Sequence, residues 1–338
     1  MKKFLFTSLF IIGFLFLSTG LKSNSKAKVH LISFSSSFNH LKIDAIKKAF
    51  NQKGYQVKVD YLNQVISDFG YVNTDEERAD NLIAALTDNE VKFLWVLRGG
   101  GGALNLLPEL KENLIKIKRS ATKTLIGFSD VTALHLFINQ YLPNWRTVHG
   151  VTASYSNDTS NPLKEIQVND LEPLPDIANL LESGIYYKNV FSMNELARND
   201  TEGILIGGNL TLIQATFGTD FEPDFNGKIV LMEDVGVTFR QLDRTLNQLL
   251  MHHRIKDATG FLFGQFYPLD PTDSERLIYK AVIENFAKKI NKPVYYYPLI
   301  GHGRKNKPLI LGEKISFQCQ PRKNCTMKQV GITVRKIK

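Results

Sequence analysis

Between Lys28 and His149 the chain alternates β-rich runs with amphipathic ones: KVHLISF, LKIDAIKKAFNQKG, YQVKVDYL, TDEERADNLIAALTD, VKFLWVL and TKTLIGF. The last runs into a helical stretch holding Leu134 and Phe137. Parallel strands need a long crossover between them, usually a helix, and this alternation supplies one each time. The predicted fold class is therefore α/β with a parallel sheet. Thr74 to Glu77 matches a capping box at the head of one helix. In such folds the loops leaving the carboxyl ends of the strands carry the ligand site.

At 338 residues and 43% hydrophobic content the chain can bury two moderate cores. A first domain is expected over 27–155. Residues 156–200 open with SNDTSNPLKEIQ and LEPLPD, lose periodicity, and read as a connector. A second α/β domain is expected over 201–338, beginning with GILIGGNL and continuing through GKIVLMEDVG and FLFGQF. Ahead of both, MKKFLFTSLFIIGFLFLSTG has a basic start, an apolar run from Phe4 to Leu17, and small residues Ser18 and Gly20. It reads as an export signal over 1–20, short for a membrane span and followed at once by Lys22, Lys26 and Lys28, so no stable insertion is expected after cleavage.

An oxidising compartment bears on the only two cysteines, Cys319 and Cys325, which sit between β-rich runs around a turn with Pro321 and Asn324. They read as a disulfide closing a hairpin, since zinc would need a second ligand pair. The formal net charge is +9, yet Lys and Arg are scattered among acids with no aromatic-interleaved stripe. That pattern disfavours nucleic acid and suits weak attraction to anionic envelope polymers.

Three stretches could carry chemistry. VLRGGGGALNLL places Gly99 to Gly102 after a buried-looking strand, where adjacent glycines can aim backbone N–H groups at an anion or simply make a turn. It lacks the third glycine of a dinucleotide fingerprint and the Walker lysine-serine pair. LIGFSDVTALH places Ser129 and Asp130 at a strand-to-helix junction, as caps or as a nucleophile and its neighbour. Unlike the α/β-hydrolase elbow, GFSDV has no glycine two residues after the serine. Glu233 and Asp234 end the apolar run IVLMEDVG, and His302 stands between Gly301 and Gly303 in PLIGHGRKNKP. A carboxylate at a strand end can orient such a histidine or cap the next turn. His252 and His253 fall on a helix, His30 and His40 flank the first strand, and His135 and His149 read as local packing or hydrogen-bonding residues. No H-E-x-x-H zinc pattern occurs.

In order, DEERADNLIAAL, the strand ending in RGG, GFSDVTALH, HGV, GGNLTLI, GKIVLMEDVG with LDRTL, GFLFGQF, and PLIGHG leading to PLILG resemble the bacterial LD-carboxypeptidases. These are muramoyltetrapeptide carboxypeptidases with a Ser-Glu-His triad, and the resemblance runs from about Lys28 nearly to the C-terminus. It implies a flavodoxin-like N-terminal domain, a smaller C-terminal α/β domain, and a site in the cleft between them. It further implies Ser129 as nucleophile, Glu233 as orienting acid, His302 as general base, and backbone N–H groups of Gly100 and Asp130 at the oxyanion, with no cofactor or metal. The implied reaction removes the terminal D-alanine from the tetrapeptide stem of peptidoglycan, after the L-centre of the diamino acid. Arg98 and Arg304 are the candidate cations for the D-alanine carboxylate. The family usually carries Tyr-Gly after RGG and an arginine soon afterwards; Gly101, Gly102 and Asn105 stand here, which puts the cleft's shape and charge in question.

Two rival readings stay open. A sister activity hydrolyses microcin C-like peptide-nucleotide antibiotics, against which the export signal weighs. A periplasmic binding protein also pairs two lobes around a cleft but has no need of Ser129, Glu233 and His302 together. The expected location is the periplasm of a Gram-negative cell, with stem peptides as partners; a homodimer is left open.

Overall fold

The computed structural model describes residues 27–154, 176–268, 271–303, 305–320 and 324–332. The expected export signal, Arg304 and Pro321 lie outside the described residues.

Five parallel strands, β1 (Ala27–Ile32), β2 (Tyr55–Tyr61), β3 (Phe93–Val96), β4 (Thr124–Gly127) and β5 (Arg146–His149), form a sheet in the order β2-β1-β3-β4-β5. This is the flavodoxin-like order. Its central strands are covered on both faces, which is why they read as unbroken apolar runs. Leu94 and Val96 enter one core with Leu82, Leu86 and Phe137, while Trp95 and Leu97 enter the opposite core with Ile46, Phe50 and Tyr55. Successive side chains of one strand thus feed two helical layers, as the two-residue period of a strand demands.

Only half of the expected capping box forms. Thr74 Oγ1 accepts from the Glu77 N–H (3.3 Å), but the Thr74 N–H donates to Asn73 Oδ1 (2.9 Å) rather than to Glu77. The carboxamide of the adjacent residue takes the donor that the glutamate would have used.

The second unit is a closed seven-stranded barrel of β6 (Gly184–Ser192), β7 (Thr201–Asn209), β8 (Lys228–Glu233), β9 (Gly260–Phe263) and β10 (Val294–Tyr296), completed by two later strands. β7, β8, β9 and β10 are mutually parallel. β11 (Leu309–Leu311) leaves the barrel, and β12 (Lys314–Gln318) and β13 (Cys325–Val330) close it. Two sequence expectations need correcting here. The segment 184–192, read as connector, is a full barrel strand paired with β10 and β13. Only Ile185 and Val190 of its nine residues are buried, and Asn189 at φ 65° interrupts the alternation where the register with β13 shifts. A bulge of this kind hides a strand from any period-2 reading. The other correction is Leu309–Leu311, which joins the first sheet antiparallel to β5 although it falls within the expected second domain. Three apolar residues carry no information about which sheet edge they will cover.

The β12–β13 hairpin pairs Gln318 with Thr326, which sets Cys319 opposite Cys325, and the two are joined by a disulfide. Sheet and barrel meet where the helix Thr132–Tyr141 packs on β7: Thr132 Oγ1 accepts the Asn209 N–H at 2.8 Å. This contact brings the carboxyl end of β4 to those of β7 and β8.

Candidate active site

After β4 the chain turns through Phe128, still extended, into Ser129 at φ 64° and then a short 3-10 turn leading to the helix Thr132–Tyr141. A left-handed backbone costs an L-residue about 1–2 kcal/mol. Among the described residues no side chain caps the turn or the helix, so capping does not account for Ser129. The tight geometry depends on Gly127, where a Cβ would come within 2.9 Å of Val131 Cγ2. A Cβ on Gly99 would stand 3.2 Å from Ser129 Cβ and 3.5 Å from its Oγ, so the glycine loop after β3 lies against the serine side chain.

The Asp130 side chain ties that loop to the elbow. Its buried Oδ2 accepts from Ser35 Oγ (2.6 Å) and from the Ala103 N–H (3.0 Å). Burial pushes its pKa up against the opposing pull of these donors and of Arg78. Gly100 sits at φ 127°, and any Cβ there would fall 1.9 Å from Ser36 Oγ. Beyond it, Gly101 and Gly102 lie against Tyr71, whose ring also carries the buried Arg78 guanidinium at 4.5 Å. A tyrosine from the loop after β2 thus lies against this glycine loop. Asn105 donates to Asp75 Oδ2 (3.0 Å), and the exposed Arg98 donates to the Ser37 carbonyl.

From the barrel side, β8 ends on Glu233, in register with Asn209 at the end of β7. Glu233 is fully buried, and His302 Nδ1–H donates to its Oε2 at 2.7 Å. Gly301, at φ 109°, makes the approach possible, because a Cβ there would lie 2.6 Å from the same oxygen. Burial alone would raise the Glu233 pKa; His302 and His149 outweigh it and hold the carboxyl down at about 2. Burial likewise works to lower the His302 pKa, but Glu233 first and Asp234 second leave it raised. The Phe128 ring packs on the imidazole of His302 with centroids 4.7 Å apart, which sets the Ser129 elbow beside the Glu233–His302 pair.

The neighbouring acid takes the bland role. Asp234 accepts from Asn209 Nδ2 (2.8 Å), the Thr211 N–H (3.0 Å) and Thr211 Oγ1 (2.7 Å), fastening the turns after β7 and β8. The sequence marks His149 only as a local packing or hydrogen-bonding residue and does not connect it with Glu233, yet its Nε2 lies 3.6 Å from Glu233 Oε1. The HGV stretch that contains it was the available signal. Among the described residues no cluster of His, Cys, Asp and Glu could hold a metal ion.

A parallel sheet and a barrel that meet at their strand ends, with a buried acid–imidazole pair beside a positive-φ serine elbow, define the class of two-domain α/β proteins with the candidate site at the domain junction. Residues 29–150 match the LD-carboxypeptidase N-terminal domain and residues 202–317 the LD-carboxypeptidase C-terminal domain. A probable murein peptide carboxypeptidase of Bacillus subtilis is 30% identical over 280 residues, 82% of this chain and 84% of that protein. The chain belongs to the LD-carboxypeptidase family. Its fold is shared with the crystal structure of a muramoyltetrapeptide carboxypeptidase from Oxalobacter formigenes (TM-score 0.73, 21% identity, 90% of this chain and 99% of that one). An MccF-like protein from Bacillus anthracis shares it too (TM-score 0.71, 17% identity, 91% and 97%).

Proposed function

We propose that the protein is a serine carboxypeptidase that removes the terminal D-alanine from murein tetrapeptide stems. The observation that carries the reading is the 2.7 Å contact of buried Glu233 with His302 Nδ1 beside the positive-φ elbow of Ser129. With Nδ1–H given to Glu233, the Nε2 lone pair is the free base of the imidazole. It takes the Ser129 Oγ proton as the oxygen attacks the carbonyl carbon of the diamino acid. The C–N bond then breaks, and the leaving amine of D-alanine receives that proton. Water, deprotonated by the same nitrogen, hydrolyses the ester, and the proton returns to Ser129 Oγ. Glu233 stays ionised and stabilises the imidazolium formed in each half-reaction. Backbone N–H groups of Gly100 and Asp130 are the proposed oxyanion donors, and Arg98 and Arg304 the proposed partners of the product carboxylate. The name of the Bacillus subtilis relative, a murein peptide carboxypeptidase, supports the substrate class.

Mass spectrometry of purified murein tetrapeptide incubated with the protein should show conversion to the tripeptide and free D-alanine. An unchanged stem, or faster cleavage of a microcin C-like peptide nucleotide in parallel, would overturn the reading. Stems of this kind lie in the envelope, which suits the export signal expected over residues 1–20; a native N-terminus at Met1 would remove that placement.

A further inference from the structure

Glu233 has a second neighbour that the reaction above does not use. His149 ends β5 in the first domain, is fully buried, and holds its Nε2 3.6 Å from Glu233 Oε1. Neither atom has another hydrogen-bond partner among the described residues. A buried carboxylate oxygen without a donor is unfavourable, and a contraction of a few tenths of an ångström closes this bond. Hydrogen bonds in catalytic sites often tighten in this way once substrate is bound.

The placement of His149 follows from strand register. β4 and β5 pair Gly127 with His149, two residues before Ser129, and the Gly150 N–H donates to the Gly127 carbonyl at 3.0 Å. The Phe128 ring stands 5.9 Å from the His149 ring and 4.7 Å from that of His302, so it packs against both. His149 therefore touches the elbow of its own domain and the acid of the other. Resting on the serine-hydrolase reading, we propose that His149 is a positioning residue: its Nε2–H donates across the domain interface to Glu233 Oε1 and fixes the carboxylate plane so that Oε2 faces His302. The other titratable groups bearing on the pair are His302, Asp234 and, behind His149, the fully buried His135. Burial and then His149 hold His135 well below the usual imidazole range, so it adds no charge there.

The test compares the full-length wild type with His149→Leu and His149→Gln. Two readouts are the rate of Ser129 labelling by a fluorophosphonate between acid and alkaline pH, and kcat and KM on murein tetrapeptide. Leucine is close to histidine in volume but has no donor, and should lower labelling rate and kcat by about 10- to 100-fold with KM little changed. The Gln Nε2 lies as many bonds from Cβ as the histidine Nε2, and should restore most of both without displacing the pH profile. Wild-type rates in the leucine variant would overturn the proposal. So would a glutamine variant as slow as leucine, because a neutral donor at that position would then not be what matters. Should the leucine variant fail to fold, His149→Asn replaces it: one bond shorter, it should fall well below glutamine, and equal rates would overturn the assignment. A wild-type chain that labels but leaves the stem uncut would remove the substrate reading alone, and the labelling rates would still decide on His149.

Discussion

At φ 64°, Ser129 sits in a region that glycine enters freely and other residues enter at a cost. Ser129→Ala and Ser129→Gly both delete the hydroxyl and should abolish turnover. They should differ in stability, with glycine the more stable by about 1 kcal/mol in thermal unfolding; equal melting would mean that the elbow is unstrained. The Glu233–His302 pair sets a pH dependence with two opposite signs. Glu233, held down at about 2 from an ordinary 4.5, contributes stability above its ordinary value that is lost as pH falls through the lower one. His302 is raised above 6.5, so its contribution is complete below that value and is lost as pH rises through the raised one. Activity needs the free base and grows across that same upper window. The acid limb of kcat/KM should therefore lie above 6.5, and Glu233→Gln should move it down and lower kcat, as a pH–rate series will show. The limb belongs to the coupled pair rather than to one residue.

Among the elements, the decisive junction is the helix Thr132–Tyr141 against β7. Gly208, at φ 140°, lets β7 come close enough for Thr132 Oγ1 to take the Asn209 N–H; a Cβ there would meet that oxygen at 2.4 Å. Thr132→Val keeps the shape and removes the acceptor. Leaving that buried N–H unpaired should lower stability by about 1–3 kcal/mol. It should also slow turnover, because the elbow would shift relative to Glu233; denaturant unfolding and kcat on the same sample check both. The parallel sheet was legible in the sequence because its strands are short apolar runs separated by helices with one apolar face, such as Ile46, Ala49 and Phe50 on Ile43–Gln52. β6 was not, because its bulge at Asn189 and the burial of only two of its nine residues erase the alternation.

Across the whole molecule, the disulfide and the Glu233–His302 pair lie at opposite ends of the barrel. Phe317, two residues before Cys319, pairs with Thr201 at the start of β7, whereas Asn209 at its end stands beside Glu233. The nine residues of β7 separate them by about 25 Å. A Cys319→Ser, Cys325→Ser double variant should lose at most about 2–3 kcal/mol of stability, since the closed loop is short. Its turnover at moderate temperature should match the wild type; lost turnover in the folded variant would mean that the hairpin reaches the site. What the sequence determined by itself was local. Strand and helix alternation, a serine at a strand-to-helix turn, an acid ending an apolar strand, a histidine between glycines, and cysteines flanking a turn all depend on side-chain period and backbone freedom over a few residues. Only the tertiary structure decided which sheet Leu309–Leu311 completes, how the barrel closes through β6, and that His149 faces the second oxygen of Glu233. Those outcomes depend on register and on the docking of two separately patterned domains, and a buried polar atom acquires its need for a partner only once folding has removed the water around it.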